Sequence, residues 1–450
     1  MRYFAPSRLY RSLESAEAGM PARNQGAIVF LIACLAAVGS SGCGGGSDGN
    51  GAGEVLAPAP PLSLGPAACV GGLADGIPCL GISLGKRVPL EDMGGSFGND
   101  LWGWVDAQTG REYALMGMDT GTAFVDVSDP RAPVFLGRLP TQTSPSIWRD
   151  IKVYRDHAYV VADDAGNHGM QVFDLTRLRG IQAPQIFAAD VVFTGTDSAH
   201  NLAIDEETGF AFIIGEQLAT GSCPAMRIVD ITVPQNPIEA ACYRPVFDSH
   251  FVHGHDAQCV IYRGPDPDHS GQEICISANG DHVEIVDVTQ KQSPARVAAF
   301  VYDELVPVWP NEDGGFAHQG WLTDDQRFFL LGDESDEAHL GYRTSTYIFD
   351  LEDLDSPLYV GRFEAGTSSS DHNLYIRGDL VYQANYEAGL RVLQIGDLSN
   401  VELTEVAFFD TALNHDHPYF AGAWSVYPWL PSGTLLVSDT DQGLLVLIPD

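Results

Sequence analysis

Between Arg149 and Arg179 the chain reads RDIKVYRDHAYVVADDAGNHGMQVFDLTRLR, and apolar side chains take alternate positions in three short runs, 151–154, 158–162 and 170–175. Turn-forming residues separate the runs, Arg155-Asp156 and the polar segment 163–169. A period of two sends successive side chains to opposite faces of a strand, so the pattern predicts three strands of one antiparallel meander.

The unit recurs about every fifty residues, the spacing of propeller blades. Its third strands align as GTAFVDV (121–127), GMQVFDL (169–175), MRIVDI (226–231), VEIVDV (283–288) and STYIFDL (345–351), with weaker copies GLRVLQI (389–395) and GLLVLI (443–448). Turns such as Asp129-Pro130, Val233-Pro234 and Ser356-Pro357 then reverse the chain into a fourth strand, expected at 133–139, 238–243, 295–302, 358–363 and 406–410. The seventh copy has no fourth strand after it, and the N-terminal segment LGKRVP (84–89) resembles the fourth-strand segment LGRLP (136–140). The expected fold is all-β: a seven-bladed β-propeller of four-stranded antiparallel blades, its ring closed by that N-terminal strand so that no long edge is left unpaired.

First strands open on polar residues that packing does not require: Asn99-Asp100, Arg149-Asp150, His200-Asn201, His255-Asp256, His318-Gln319, Asp371-His372-Asn373 and Trp424-Ser425. Second strands end in a matching set: Asp163-Asp164, Glu216, Asn279, Asp281, Asp333-Glu334, Asn385 and Asp439–Asp441. In a meander these two positions lie at the same end of a blade, so both sets are expected around one mouth of the central tunnel. One reading makes them a divalent-metal site, with His200, His255, His318 and His372 joined by Asp150, Asp256, Asp371, Asp333 and Glu334, because imidazole and carboxylate bind borderline and hard cations. An extension of it is a metal-dependent hydrolase or lyase with Asp333 or Glu334 as base. The other reading makes the histidines structural pins that hydrogen-bond one blade to the next. No nucleophile elbow, P-loop or zincin motif is present to favour a known chemistry.

Two lesser signals have bland readings. Residues 266–273 carry oxygen side chains at calcium-loop-like spacing but fit a solvated turn. Trp102, Trp104, Trp148, Trp321, Trp424 and Trp429 near first strands fit inter-blade packing, with a carbohydrate platform as the alternative.

Charge narrows the partners. The formal net charge is -36, from 60 acidic against 24 basic side chains. Such a surface repels phosphate backbones and anionic lipid, which excludes nucleic acid as a partner and leaves a small ligand or another protein. Arginines up to Arg23, an apolar run at 26–38 and small residues before Cys43 read as an export leader over 1–43, with Cys43 as a lipoprotein-type anchor and ordinary cleavage as the alternative. The Gly-, Ser- and Pro-rich segment 44–68 reads as a tether, followed by one propeller domain over 69–450. Of eight cysteines, six lie beyond the leader in locally spaced pairs, Cys69 with Cys79, Cys223 with Cys242 and Cys259 with Cys275, and disulfides are expected in an exported chain.

The VDV, VFDL, IVDI, IVDV and IFDL strands resemble LVIVD repeats. Together with WRD (148–150), HGMQVFDL (168–175), HDAQC (255–259), HQGWLT (318–323), DHNLY (371–375) and AWSVYP (423–428), they resemble the bacterial choice-of-anchor B family. The resemblance covers 69–450 and implies an exported, extracytoplasmic propeller attached to the cell envelope or released. It implies no reaction. The function expected is that of a ligand- or partner-binding propeller of the envelope, with membrane contact only through the N-terminal anchor.

Overall fold

The computed structural model describes residues 61–217, 221–248, 250–302, 315–413 and 415–450. The expected leader with Cys43, and most of the tether, lie outside those residues. Seven four-stranded antiparallel blades follow one another along the chain. Their innermost strands are Gly98–Val105, Arg149–Tyr154, Asn201–Asp205, Asp256–Ile261, Ala317–Leu322, Asn373–Arg377 and Ala423–Tyr427. Each packs against the innermost strand of the next blade, and the seventh against the first, so the ring closes.

The repeated motif has a physical reading in each blade. The third strand is buried on both faces, as in Met226–Asp230 and Val283–Asp287, which explains its unbroken run of β-branched and aromatic residues. Its aspartate starts the following turn. Asp126, Asp174, Asp230, Asp287 and Asp350 each accept the backbone N–H two residues on, at 2.8–3.0 Å. The outer strand then carries a bulge opposite the same motif position in six blades, between Phe124/Val125, Ile228/Val229, Ile285/Val286, Ile348/Phe349, Val392/Leu393 and Leu84/Lys86. A bulge sharpens the right-handed twist that a blade requires. Core side chains fill the spaces between blades, as where Phe124 of blade one stacks on Phe173 of blade two at 4.7 Å between centroids.

The ring is closed as the sequence predicts. Ile82–Val88 pairs antiparallel with Gly443–Pro449 as the outer strand of blade seven, with Leu84 opposite Leu447 and Val88 opposite Leu444. Gly85 at its bulge admits no side chain, because a Cβ there would stand 2.5 Å from the Pro130 carbonyl oxygen. The three cysteine pairs form the expected disulfides, Cys69–Cys79, Cys223–Cys242 and Cys259–Cys275.

Two departures refine the pattern. After its third strand blade two makes a 3-10 turn, Leu175–Leu178, and Gln185–Ile186 runs parallel to the outer strand of blade one before Val191–Phe193 returns as blade two's own fourth strand. Blade six is extended outward by Ile77–Leu80 and Leu73–Ala74, the hairpin stapled by Cys69–Cys79. Among the described residues no helix is long and apolar enough to cross a membrane.

Candidate functional site

Equivalent positions at the start of the innermost strands form one ring of side chains: Asn99, Arg149, His200, His255, His318, His372 and Trp424. Bulges aim three of them. The pairing of the first two strands skips Asn99 and Asp100 in blade one, His318 in blade five and Trp424 in blade seven. The four histidines and Trp424 lie ring against ring around the tunnel. Successive centroids are 4.4, 4.3, 4.2 and 4.6 Å apart from His200 through His255, His318 and His372 to Trp424.

Two of the imidazoles hydrogen-bond one blade to the next. His255 Nδ1 donates to the His318 carbonyl oxygen at 3.0 Å, and His372 Nδ1 donates to the Trp424 carbonyl oxygen at 2.5 Å. A carbonyl only accepts, so each Nδ1 carries the proton and each Nε2 keeps its lone pair. Pinning one blade to the next thus also fixes the ligand tautomer. Burial and the neighbouring His200 hold the His255 pKa well below the usual imidazole value. Burial and the adjacent His372 and His255 do the same for His318, and burial lowers His372 to about 3 against its hydrogen bond to Trp424. These three rings are neutral. His200 differs: burial disfavours its charge, but the Asp163 carboxylate, 3.1 Å from Nδ1, outweighs burial and raises the pKa.

Glu334 lies against two of the histidines, and one ligand-type atom of each of the three residues lies within 4.8 Å of the others. Its Oε1 stands 3.8 Å from His318 Nε2 and 3.7 Å from His372 Nε2. A tetrahedral ion with bonds of about 2.0–2.1 Å needs ligand atoms a little over 3 Å apart, so a small inward shift suffices. The Tyr386 hydroxyl donates to the same Oε1 at 2.6 Å and orients the carboxylate. Burial pushes the Glu334 pKa up to about 7, with the Tyr386 bond opposing. Tyr386 is itself fully buried and held at φ 39, a left-handed conformation that costs a non-glycine residue free energy.

Inside this ring lies a chamber of about 30 Å³, lined by the four histidines with Arg149, Asp100, Asp150, Lys152, Asp256, Asn373 and Tyr375 among others. Lys152 reaches Asp150 and, at 3.4 Å, Asp100. Burial disfavours the charge of Lys152, but the two carboxylates outweigh it and raise its pKa. Burial leaves the Asp150 pKa raised, whereas for Asp100 the Lys152 charge outweighs burial and lowers it. Burial raises Asp256 to about 7. Carboxylates of this layer also tie blades together: Asp100 accepts from Ile151 N at 3.3 Å and Asp150 from Leu202 N at 2.6 Å. Farther along the innermost strands Trp102, Trp321, Tyr375, Tyr427 and Trp429 pack ring against ring at 5.0–6.0 Å. These rings pack on one another, and Trp102, Trp321, Tyr427 and Trp429 are also partly exposed.

The structure therefore sorts the residues expected at the mouth. His200, His255, His318 and His372 converge, and Glu334 joins the last two. Asp150 and Asp256 line the chamber, where Asp150 is engaged by Lys152. Asp333 and Asp371 turn away from the tunnel. Asp333 accepts from the Tyr302 hydroxyl at 2.6 Å and from Phe316 N at 2.5 Å, and Asp371 accepts from Asp333 N at 3.3 Å. The segment 266–273 joins blades four and five, since Asp266 accepts from Leu354 N at 2.9 Å and His269 Nε2 meets Asp355 at 3.0 Å; one ligand-type atom of each of Asp266, His269 and Asp355 lies within 4.8 Å of the others. Sequence reasoning missed Lys152 and Tyr386. The spacing Arg149-Asp150-Ile151-Lys152, three charges in four residues of an innermost strand, was the signal for the first.

No family model matches the chain, and no curated protein matches it. Among solved structures it is similar to the beta-propeller domain of Cps50 (Swd1) from Myceliophteria thermophila, at 10% identity and TM-score 0.49, over 82% of this chain and 99% of that one. It is also similar to a protein from Lactobacillus plantarum, at 14% identity and TM-score 0.47, over 77% and 94%. The fold is defined by the seven blades themselves. Neither likeness bears on ligand or activity.

Proposed function

We propose that this chain is an exported, lipid-anchored propeller of the cell envelope, of the LVIVD-repeat, choice-of-anchor B type. In this reading it binds a partner or small ligand and holds one divalent transition-metal ion at the tunnel mouth. Three disulfides fit an oxidising compartment, and the leader-like segment ending at Cys43 fits export and anchoring. The observation that carries the metal is the approach of His318 Nε2 and His372 Nε2 to Glu334 Oε1, with the His372 Nδ1 proton committed to a carbonyl. Two imidazoles and one carboxylate suit zinc, copper or nickel better than calcium or magnesium. His255 is the nearest further imidazole to the set.

The hydrolase or lyase reading has less support. A site for a drug-sized organic substrate encloses roughly 300–1,000 Å³. The chamber holds about 30 Å³, room for a ligand of a few atoms. The test is elemental analysis of leader-free protein purified without a histidine tag, beside His318→Ala/His372→Ala. Stoichiometric metal in the parent, lost from a folded variant, is expected. Parent protein that stays metal-free after incubation with zinc, copper and nickel salts would overturn the metal reading and leave a binding platform pinned by its histidines.

A further inference from the structure

Arg149 occupies the same ring position in blade two that histidine takes in the next four blades, and it is 2% exposed. Its Nε donates to the Met118 carbonyl oxygen at 3.1 Å. Its Nη1 donates to His168 Nε2 at 3.2 Å, and His168 is held in the accepting tautomer because its Nδ1 donates to the Gly169 carbonyl at 2.8 Å. Nη2 has no partner. Among the described residues no carboxylate forms an ion pair with this guanidinium. Asp119, the acid nearest to it in effect, is instead engaged by Ser96 N and Oγ at 2.9 and 2.6 Å.

A buried cation without a counter-ion carries a large desolvation cost, which is ordinarily relieved by an anion. The wall carboxylates Asp100, Asp150 and Asp256 form no ion pair with Arg149. Lys152 already absorbs Asp100 and Asp150, and the one imidazole facing Arg149 is neutral. A guanidinium presents planar N–H donors matched to an oxyanion. Two further wall atoms lack partners, Asp100 Oδ1 and Asn373 Oδ1, and both are acceptors on residues at least nine-tenths buried. The site thus asks for negative charge at Arg149 and for a hydrogen-bond donor elsewhere.

We infer that the chamber is a site for a small hydrogen-bearing oxyanion of the size of bicarbonate, with Arg149 as its recognition residue. The oxygens accept from Nη2, and the hydroxyl donates to Asp100 or Asn373. A space of about 30 Å³ holds about two waters, so an ion of four heavy atoms fits only with a small outward shift of the wall. The inference does not depend on the metal, because none of these contacts involves Glu334 or an imidazole Nε2 of the ligand set.

The experiment uses metal-free, leader-free protein titrated with sodium bicarbonate, sodium formate and sodium chloride at matched ionic strength and pH, with thermal stability as readout. Saturable stabilisation by bicarbonate, weaker with formate and not saturable with chloride, is expected. Folded Arg149→Gln should bind bicarbonate at least tenfold more weakly, and Arg149→Lys should fall between. No saturable bicarbonate effect in the parent, or undiminished binding by folded Arg149→Gln, would overturn the proposal. Should Arg149→Gln fail to fold, parent crystals soaked in sodium bicarbonate decide: planar four-atom density in the chamber beside Arg149 supports the anion site, and an empty chamber refutes it. Metal analysis of the same preparation shows separately whether the metal reading stands.

Discussion

His372 Nδ1 donates to the backbone carbonyl of Trp424 in the next blade at 2.5 Å. One bond thereby does two things. It stitches blade six to blade seven, and it leaves the Nε2 lone pair of a neutral imidazole 3.7 Å from Glu334 Oε1. If the proposed metal binds here, variants at these histidines should disturb both the ring and the metal, whereas variants of residues that touch only Glu334 should separate the two.

Tyr386→Phe is such a variant. It removes the 2.6 Å hydrogen bond to Glu334 Oε1 and keeps the aromatic ring that packs 4.8 Å from His372. Loss of an outer hydrogen bond to a ligand typically weakens metal binding by about 10–100-fold. Chelator competition on folded Tyr386→Phe should show a loss in that range. Unchanged affinity in a parent that does bind metal would mean Tyr386 does not position Glu334.

Asp439 offers a pH test away from the mouth ligands. Burial pushes its pKa up to about 6 from 3.8. The folded chain thus holds this proton more tightly than the unfolded chain, and stability is lost as pH rises from about 4 through 6. Asp439→Asn keeps an acceptor oxygen for Asp441 N and Gln442 N and cannot ionise. Urea unfolding should show little difference at pH 4 and a gain for the variant of up to about 3 kcal/mol at pH 8. A difference that does not vary with pH would refute the shift.

Gly85→Ala tests the closing strand. The added methyl meets the Pro130 carbonyl oxygen at 2.5 Å and the Val446 carbonyl oxygen at 2.9 Å, both backbone atoms that cannot step aside. Destabilisation of about 1–3 kcal/mol is expected from overpacking. Gly72→Ala is not a neutral control, since its φ of 87 strains any side chain, whereas Gly366 has open space and ordinary φ. Equal melting temperatures for Gly85→Ala and Gly366→Ala would argue against the closure.

Cys223→Ser/Cys242→Ser opens a staple that joins residues 19 apart in blade three. A loop of that size contributes about 3 kcal/mol in the chain-entropy account. The double variant should unfold at correspondingly lower urea. Alkylation of the leader-free parent without reductant should label none of its six cysteines; full labelling would disprove the pairing.

The sequence carried the architecture because a blade is written locally. A period of two marks each strand, and the aspartate closing the third strand starts its turn through its own side chain, as Asp230 does for Thr232. Where the pattern was too short it failed: Val191–Phe193 is three residues long and follows an excursion alongside another blade. The mouth was legible as a set of positions but not as a set of contacts. Asp333 and Glu334 are neighbours in sequence, yet one turns to Tyr302 and the other to Tyr386, since adjacent residues of extended chain point opposite ways. The His168–Arg149 contact joins residues whose motifs are plain but whose meeting only the folded blade reveals.

The strand that completes the last blade also sets the order in which the molecule can be made. Arg87 Nη1 binds the carbonyl oxygen of Gln442, 355 residues away, at 3.2 Å. The first segment of the propeller to be synthesised must therefore wait for the last before either finds its partner. Six blades can form as the chain is made, but the circle cannot lock until Gly443–Pro449 has emerged. A ribosome that stops before that point releases an open ring with two bare strand edges, a form prone to pair with another copy. Closure of the ring thus waits on the pairing of Ile82–Val88 with Gly443–Pro449.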